Sequence, residues 1–377
     1  MKIGFDSKRL YCNFTGLGNY SRALVKNIQA LYSDNEYFLY SPKIKKAPET
    51  TFFYDNSNFK TYLAKTVFKA YWRSFSIASQ LKKDGVQLYH GLSNELPVNL
   101  KKYNIKSVVT IHDLIFKILP ETYPLIDRNI YDFKFRKACL LADKVIAISN
   151  STKTDIVKFY GINPDKIEVV YQGCSPLFYE PIEQQESNSL TEQYKLPNQY
   201  LLSVGSVEKR KNLKLIIEAY QHLDPEHQVP LVVIGRGKTY KKEVLDLIAS
   251  RGLEKKVIWI TNLKDNKVLR AIYQKATVLV YPSFYEGFGL PIVEAMLSKT
   301  PVITSNVSSL PEAGGPNSLY INPSSSAELA DAITQVLTNA ELVNKMIEEG
   351  FKYANHMFSP NRVSKQLINC YEKILNE

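Results

Sequence analysis

The stretch YPSFYEGFGLPIVEAMLSKTPVITSN (281–306) holds the densest chemistry in the 377-residue chain. A β-rich run ends at Tyr281, a loop carries Glu286, and Gly287-Phe288-Gly289 lets backbone approach a ligand closely. Pro291 suits the start of a helix whose opening turn holds Glu294. That helix N-terminus offers free N–H groups and a positive dipole end, suited to a phosphate. The two carboxylates, eight residues apart, suit hydroxyls instead: one can accept from both hydroxyls of a ribose and the other from a sugar. Together these pieces describe a nucleotide-sugar site; the alternative is an N-cap region with helix-favouring acids. A second stretch, YLLSVGSVEKRKNLKLIIEAY (200–220), reads as strand, glycine turn, the cluster Lys209-Arg210-Lys211 and an amphipathic helix. Cations on a loop leaving a strand can reach a diphosphate in the same cleft. Alone, such a cluster reads equally as a solvated turn.

Elements able to position these groups alternate along the whole chain. The β-rich runs are 2–5, 37–40, 87–90, 107–111, 144–148 and 167–171, then 200–204, 231–235, 257–261, 277–281, 301–304 and 318–321. Nearly continuous apolar strands separated by helices predict parallel sheets covered on both faces. Six and six predict two similar doubly wound α/β domains. The polar, acidic stretch 178–199 reads as the linker, which gives an N-terminal domain over 1–177 and a C-terminal one over 200–359. Ser359-Pro360 opens a terminal helix over 360–377, expected to pack back on the first domain. Ligands of such sheets sit at the carboxyl ends of the strands, in the cleft.

The composition, 45% hydrophobic and 23% charged, excludes wholesale disorder. No apolar run approaches the roughly 18 residues of a membrane span, and charge comes too early for a secretory leader. Cys12, Cys139, Cys174 and Cys370 are scattered, as reduced thiols of a cytoplasmic protein are. The net charge of +11 is lopsided: residues 1–180 hold 26 Lys and Arg against 16 Asp and Glu, and residues 181–377 hold 22 against 21. An anionic partner for the first half follows.

VGSVEKRKNLKLIIEAY and EGFGLPIVEAMLSKTPVITSNVSSLPE resemble family 4 glycosyltransferases, retaining enzymes of the GT-B fold, with two Rossmann-like domains facing across a cleft. Glu286 and Glu294 match that family's Glu-x7-Glu motif. TGLGNYSRAL (15–24), YHGLSNELP (89–97), TIHDLIF (110–116) and ADKVIAISNSTKTDI (142–156) are similar to further blocks of the family. The resemblance implies that Glu294 accepts from the ribose and Glu286 holds hydroxyls of the donor sugar. It implies that Arg210 and Lys211 neutralise the diphosphate, with backbone N–H groups at Gly289 and Leu290. Many members carry arginine where Ser206 stands, which leaves more of that work to Arg210. Lys299 stands where the helix usually ends in glycine. The loop at Asn262 and Leu263 is placed to meet the nucleotide base.

In the first half, His112 follows a strand; a lone histidine is often structural, but the resemblance implies contact with the donor sugar near the reacting carbon, and Asp113 either orients its ring or caps the turn. Gly16 and Gly18 mark a tight turn that in this family lies over the cleft, which implies donor contact; Asn19 and Tyr20 after it are acceptor-side candidates, and Arg22 is a further contact or a helix-surface charge. His90 and Asn94 read as acceptor-side residues or as loop hydrogen-bonders. No metal or other cofactor is expected, since no D-x-D occurs and the histidines do not cluster.

The resulting expectation is a hexosyltransferase using a nucleotide sugar, with GDP-mannose ahead of UDP-hexoses. Its acceptor is a glycan, carried in one version on a polyprenyl diphosphate. The acceptor proton passes to the β-phosphate oxygen. A GT-B sugar-nucleotide epimerase and a non-catalytic nucleotide-sugar binding protein are the competing readings; nucleic acid explains the charge but none of the cleft motifs. FKTYLAKTVFKAYWRSF (59–75) sets Lys65, Lys69 and Arg73 on one face of an expected helix, either a core-packed surface helix or one lying on anionic headgroups at the inner face of a membrane.

Overall fold

The apolar runs form strands, and every neighbouring pair of strands is parallel. The computed structural model describes residues 1–180, 182–263 and 265–377. Pro181, in the stretch read as a linker, and Lys264, beside Leu263, lie outside the described residues. The chain divides into two units, Met1–Gly173 with Ser359–Glu377, and Cys174–Phe358.

The first unit carries β1 (Lys2–Asp6), β2 (Glu36–Ser41), β3 (Phe59–Leu63), β4 (Leu88–Gly91), β5 (Lys106–Ile111), β6 (Lys144–Ala147) and β7 (Ile167–Val169). Their order across the sheet is β3-β2-β1-β4-β5-β6-β7. Alternate residues serve opposite faces. Ile3, Phe5, Leu39, Leu88, Val108 and Ile146 pack with Leu24, Val25 and Ile28 of the helix Gly16–Leu31. The terminal helix Pro360–Asn376 joins this same core through Leu367, Tyr371 and Ile374. On the other face Val109, Ile111, Val145 and Ala147 meet Ala138 and Cys139 of the helix Leu125–Leu141. Each large side chain so buried contributes about 1.5–3 kcal/mol.

Two sequence expectations fail here. Residues 59–75 are not one helix: Phe59–Leu63 is the edge strand β3, and helical backbone begins at Lys69. Arg73 is no surface charge either, because its side chain is 11% exposed and grips Asp6 and Glu95. The basic face Lys65-Lys69-Arg73 therefore does not exist. The second concerns the stretch 178–199 read as the linker, whose described residues fall within the second unit. Gln184–Thr191 is a helix, and Lys275 Nζ donates to Thr191 Oγ1 at 2.8 Å while Gln274 donates to the Ile182 carbonyl at 3.1 Å. These bonds make the segment part of the second unit.

That unit holds β8 (Leu201–Val204), β9 (Leu231–Ile234), β10 (Val257–Ile260), β11 (Val278–Tyr281), β12 (Val302–Ser305) and β13 (Leu319–Ile321), ordered β10-β9-β8-β11-β12-β13. The order reverses between β8 and β11. In an open parallel sheet the crevice for a ligand opens at such a switch point, outside the carboxyl ends of the strands. The loops leaving β8 and β11 are the two that carry Arg210, Lys211 and Glu286.

Candidate active site

The chain leaves β8 through Gly205, whose φ of 141° suits only glycine, and turns through Lys209–Lys211 into the helix Leu213–Ala219. Asn212, left-handed at φ 56°, ties this turn to its neighbours by donating to the Pro282 carbonyl at 3.1 Å and the Pro323 carbonyl at 2.7 Å. The backbone N–H of Phe284 donates to the Arg210 carbonyl at 2.9 Å. The two loops are thus one unit before any charged group is considered.

Between them lies an ion cluster. Glu286 receives Lys211 Nζ on Oε1 and Arg210 Nη1 on Oε2, each at 2.6 Å. Tyr281, at the end of β11, closes the cluster: its hydroxyl accepts from Lys211 and donates to Glu286 Oε1 at 3.0 Å. The Lys211 ammonium lies 4.7 Å from the centre of the Tyr281 ring. Burial would raise the Glu286 carboxyl, but Lys211 and then Arg210 outweigh it and hold it at about 2. Burial likewise pulls the Lys211 ammonium below its usual range, against Glu286. Glu286 is therefore an anion at every physiological pH, an acceptor with lone pairs left for hydroxyl donors. The sequence reading gave the cations and the carboxylate separate tasks. The structure makes them one group of net charge +1.

Glu294 is placed differently. It is half-buried on the helix Leu290–Leu297, and its nearest polar partner is the Tyr273 hydroxyl, which donates to Oε2 at 3.0 Å. Burial raises its carboxyl to about 7, opposed by that hydrogen bond. A carboxyl whose partner among the described residues is a neutral hydroxyl gains most from a ligand that brings donors. Gly289 caps this helix at φ 116°, and a helix leaves its first N–H groups without internal acceptors. Phe288 is 3% exposed and packs edge-on against Phe358, so its side chain anchors the loop and does not face a ligand. Gly287 is buried with it. Ser206 is exposed after Gly205, and Asn262 accepts from Arg236 Nη2 at 2.8 Å, with Leu263 beside it.

In the first unit, His112 is buried at the end of β5. Its Nε2–H donates to the Leu92 carbonyl at 2.9 Å and Nδ1 accepts from Gln172 at 3.2 Å. Burial lowers the imidazole to about 4, so it is neutral. Tyr20 stands edge-on to it, ring centroids 4.7 Å apart, with its hydroxyl against Thr110. Asn94, left-handed at φ 60°, accepts the His112 N–H at 3.0 Å and is a loop hydrogen-bonder that positions that histidine. Asp113 accepts from the Ile115 N–H at 3.1 Å, as a turn cap does. Gly16 is open at the start of its helix, whereas a Cβ on Gly18 would lie 1.7 Å from the Asn13 carbonyl. Arg22 is held by the Leu10 and Asn13 carbonyls and by Asn19. His90 departs from its expected acceptor-side place. It lies wholly buried within β4, bonded to Thr110 and to Tyr371 of the terminal helix.

Comparison with known proteins follows the same two units. The profile of Glycosyltransferase Family 4 matches residues 14–176, and that of Glycosyl transferases group 1 matches residues 186–353. O-antigen chain mannosyltransferase B of Escherichia coli is 32% identical over 390 aligned positions, spanning 99% of this chain and 100% of its own. The chain belongs to glycosyltransferase family 4. It is accordingly a hexosyltransferase. O-antigen chain mannosyltransferase RfbU of Salmonella typhimurium is 28% identical over 60% of each chain. Among solved structures, Anabaena HepE in complex with UDP superposes with a TM-score of 0.76 at 18% identity, covering 99% of this chain and 100% of its own. That likeness carries the GT-B fold.

Several residues around the candidate site escaped the sequence. Tyr281 and Tyr273 were not singled out, and only their hydroxyl partners Glu286 and Glu294 draw them in. Ser308 accepts the Glu286 N–H at 3.1 Å, and Ser309 donates to the Glu286 and Phe288 carbonyls at 2.9 and 2.8 Å. Gly235 and Gly237, after β9, lie so close to Gly205 and Val207 that a Cβ would meet their carbonyl oxygens at 1.9 and 2.5 Å. The G-R-G spacing was the available signal. Among the described residues no three His, Cys, Asp or Glu side chains gather as a metal site would require.

Proposed function

We propose that this family 4 enzyme moves a mannosyl residue from GDP-mannose to a hydroxyl of a growing cell-surface glycan, with retention of configuration and without a metal. The observation that carries the reading is the Glu286–Lys211–Arg210 cluster at the switch point of the second sheet, in a chain 32% identical over its length to an O-antigen chain mannosyltransferase. In this reading Glu294 takes the ribose hydroxyls and the permanently ionised Glu286 takes hydroxyls of the sugar. Arg210 and Lys211, shared between Glu286 and the diphosphate, meet the charge that grows as the glycosidic bond breaks, together with the N–H groups at Gly289 and Leu290. The acceptor hydroxyl approaches on the face of the leaving group, and a β-phosphate oxygen takes its proton. A neutral His112 cannot serve as the cationic acid and acts toward the donor sugar by shape and hydrogen bonding. The first unit holds the acceptor, at the cytoplasmic face of the membrane.

Purified protein offered GDP-mannose, UDP-glucose and UDP-galactose with oligomannoside acceptors in EDTA tests the reading. Transfer from GDP-mannose, giving a product with the donor's anomeric configuration, is expected. Turnover of UDP-sugars alone overturns the donor. An inverted product overturns the mechanism, and a strict need for added divalent cation overturns the metal-free site.

A further inference from the structure

The turn after β9 ties three loops of the second unit together, and Arg236 is at its centre. The Arg236 carbonyl accepts the Val207 N–H at 2.8 Å, on the loop that leads from β8 to Lys211. The neighbouring Gly235 N–H donates to the carbonyl of Ile260, the last residue of β10, at 3.2 Å. The Arg236 side chain is exposed, yet it is pinned. Its Nε donates to the Thr261 carbonyl at 2.7 Å and its Nη2 to Asn262 Oδ1 at 2.8 Å. An arginine held in advance loses less rotamer freedom when a ligand arrives.

What remains of the guanidinium has a definite shape. Its donors lie in a rigid planar fork. The bonds to Thr261 and Asn262 use the edge formed by Nε and Nη2. The end-on edge keeps one N–H on Nη1 and one on Nη2, side by side, and Nη1 has no hydrogen-bond partner among the described residues. Two parallel donors need two adjacent acceptors. Guanine offers O6 and N7 side by side. Adenine sets an amino group beside N7, thymine sets a methyl group beside O4, and uracil sets a C–H there. The position suits a base as well. In the sheet β10 lies two strands from β8, roughly 10 Å at ordinary strand spacing. One nucleoside covers that span from a diphosphate at Arg210 and Lys211.

We propose that Arg236 determines the choice of base: its end-on edge donates to O6 and N7 of a guanine and so selects guanosine nucleotides over those of uridine, adenosine and thymidine. Thr261 and Asn262 act through it, by holding the fork in the orientation that the base meets. The proposal rests on the proposed function for the diphosphate site and the guanosine donor, and adds the residue that makes the selection.

Calorimetry on the full-length protein measures the binding of GDP, 7-deaza-GDP and UDP to wild type and to Arg236→Met. In 7-deaza-GDP a C–H replaces N7 while O6 stays. Wild type should bind it roughly tenfold more weakly than GDP, and UDP more weakly than GDP. Arg236→Met should bind GDP roughly ten- to a hundredfold more weakly and no longer distinguish GDP from 7-deaza-GDP. Its affinity for UDP should match that of wild type, which also shows that the variant folds. Three results overturn the proposal: equal binding of GDP and 7-deaza-GDP by wild type, a 7-deaza penalty that survives in Arg236→Met, or equal losses for GDP and UDP in that variant, which would leave Arg236 as a strap between loops. With any of these, a wild type that prefers GDP to UDP leaves the proposed donor standing. A wild type that prefers UDP overturns that donor, and this proposal with it.

Discussion

Lys211→Met probes whether the cations and Glu286 act as one group. The Lys211 and Glu286 side chains are only 16% and 9% exposed. Stranding a buried charge costs about 3–5 kcal/mol. Arg210, also 2.6 Å from the carboxylate, still holds it, which reduces the expected loss to about 2–3 kcal/mol. For a domain of this size that lowers the thermal midpoint by about 4–12 °C. Glu286→Gln alone destabilises too, because it leaves two cations side by side. Lys211→Met/Glu286→Gln leaves one cation and a neutral amide and recovers about 1–2 kcal/mol relative to additivity. Transfer activity does not recover, and stays roughly a hundredfold or more below wild type. The assay is a double-mutant cycle in urea or thermal denaturation, with initial rates measured in parallel. Additive losses in the double variant refute the coupled cluster. So does restored activity.

Nucleotide affinity should depend on pH through Glu294. In the folded chain its carboxyl sits at about 7 against an ordinary 4.5, so the folded chain keeps a proton that the unfolded chain releases. Its contribution to stability is full in acid and is lost as the pH rises from about 4.5 through 7. Ribose hydroxyls favour the carboxylate, so binding expels that proton: affinity rises with pH, about tenfold per unit, and levels off above 7. Calorimetry across this range checks it, and Glu294→Gln should give a flat profile. Lys299→Gly should stabilise the protein by about 1 kcal/mol, because Lys299 is held at φ 59° after the helix Leu290–Leu297, where a Cβ is disfavoured. Chemical denaturation measures it, and a loss of stability would show that the Lys299 side chain contributes more over the Phe351 ring than its backbone costs.

The sequence exposed what is local and hid what is distant. Glu286, Glu294, Arg210 and Lys211 were legible because strand, glycine, charge and helix follow one another within short stretches. Arg73 was misread because the acids that bury it, Asp6 and Glu95, lie 67 and 22 residues away. The edge strand β3 was hidden because lysines and aromatics at helical spacing follow it directly. His90 was misplaced by the length of a strand: β4 runs on to Gly91, which keeps the histidine inside the sheet. The outward apolar face of Leu125–Leu141 gave no signal, because apolar residues occur on both sides of that helix and only the fold says which side is covered. The charge asymmetry was legible, but its use was not. The unit with the ion cluster is almost neutral and relies on a few placed cations, while the excess belongs to the other unit.

The central claim, that the loops after β8 and β11 hold a nucleoside diphosphate, is tested most directly by thermal denaturation with GDP, UDP, ADP and TDP. One of them, expected to be GDP, should stabilise the protein by about 2.7 kcal/mol at a hundredfold excess over its Kd. The gain should vanish in Lys211→Met and shrink in Glu294→Gln. No stabilisation by any of the four, or an equal gain in wild type and both variants, would contradict it.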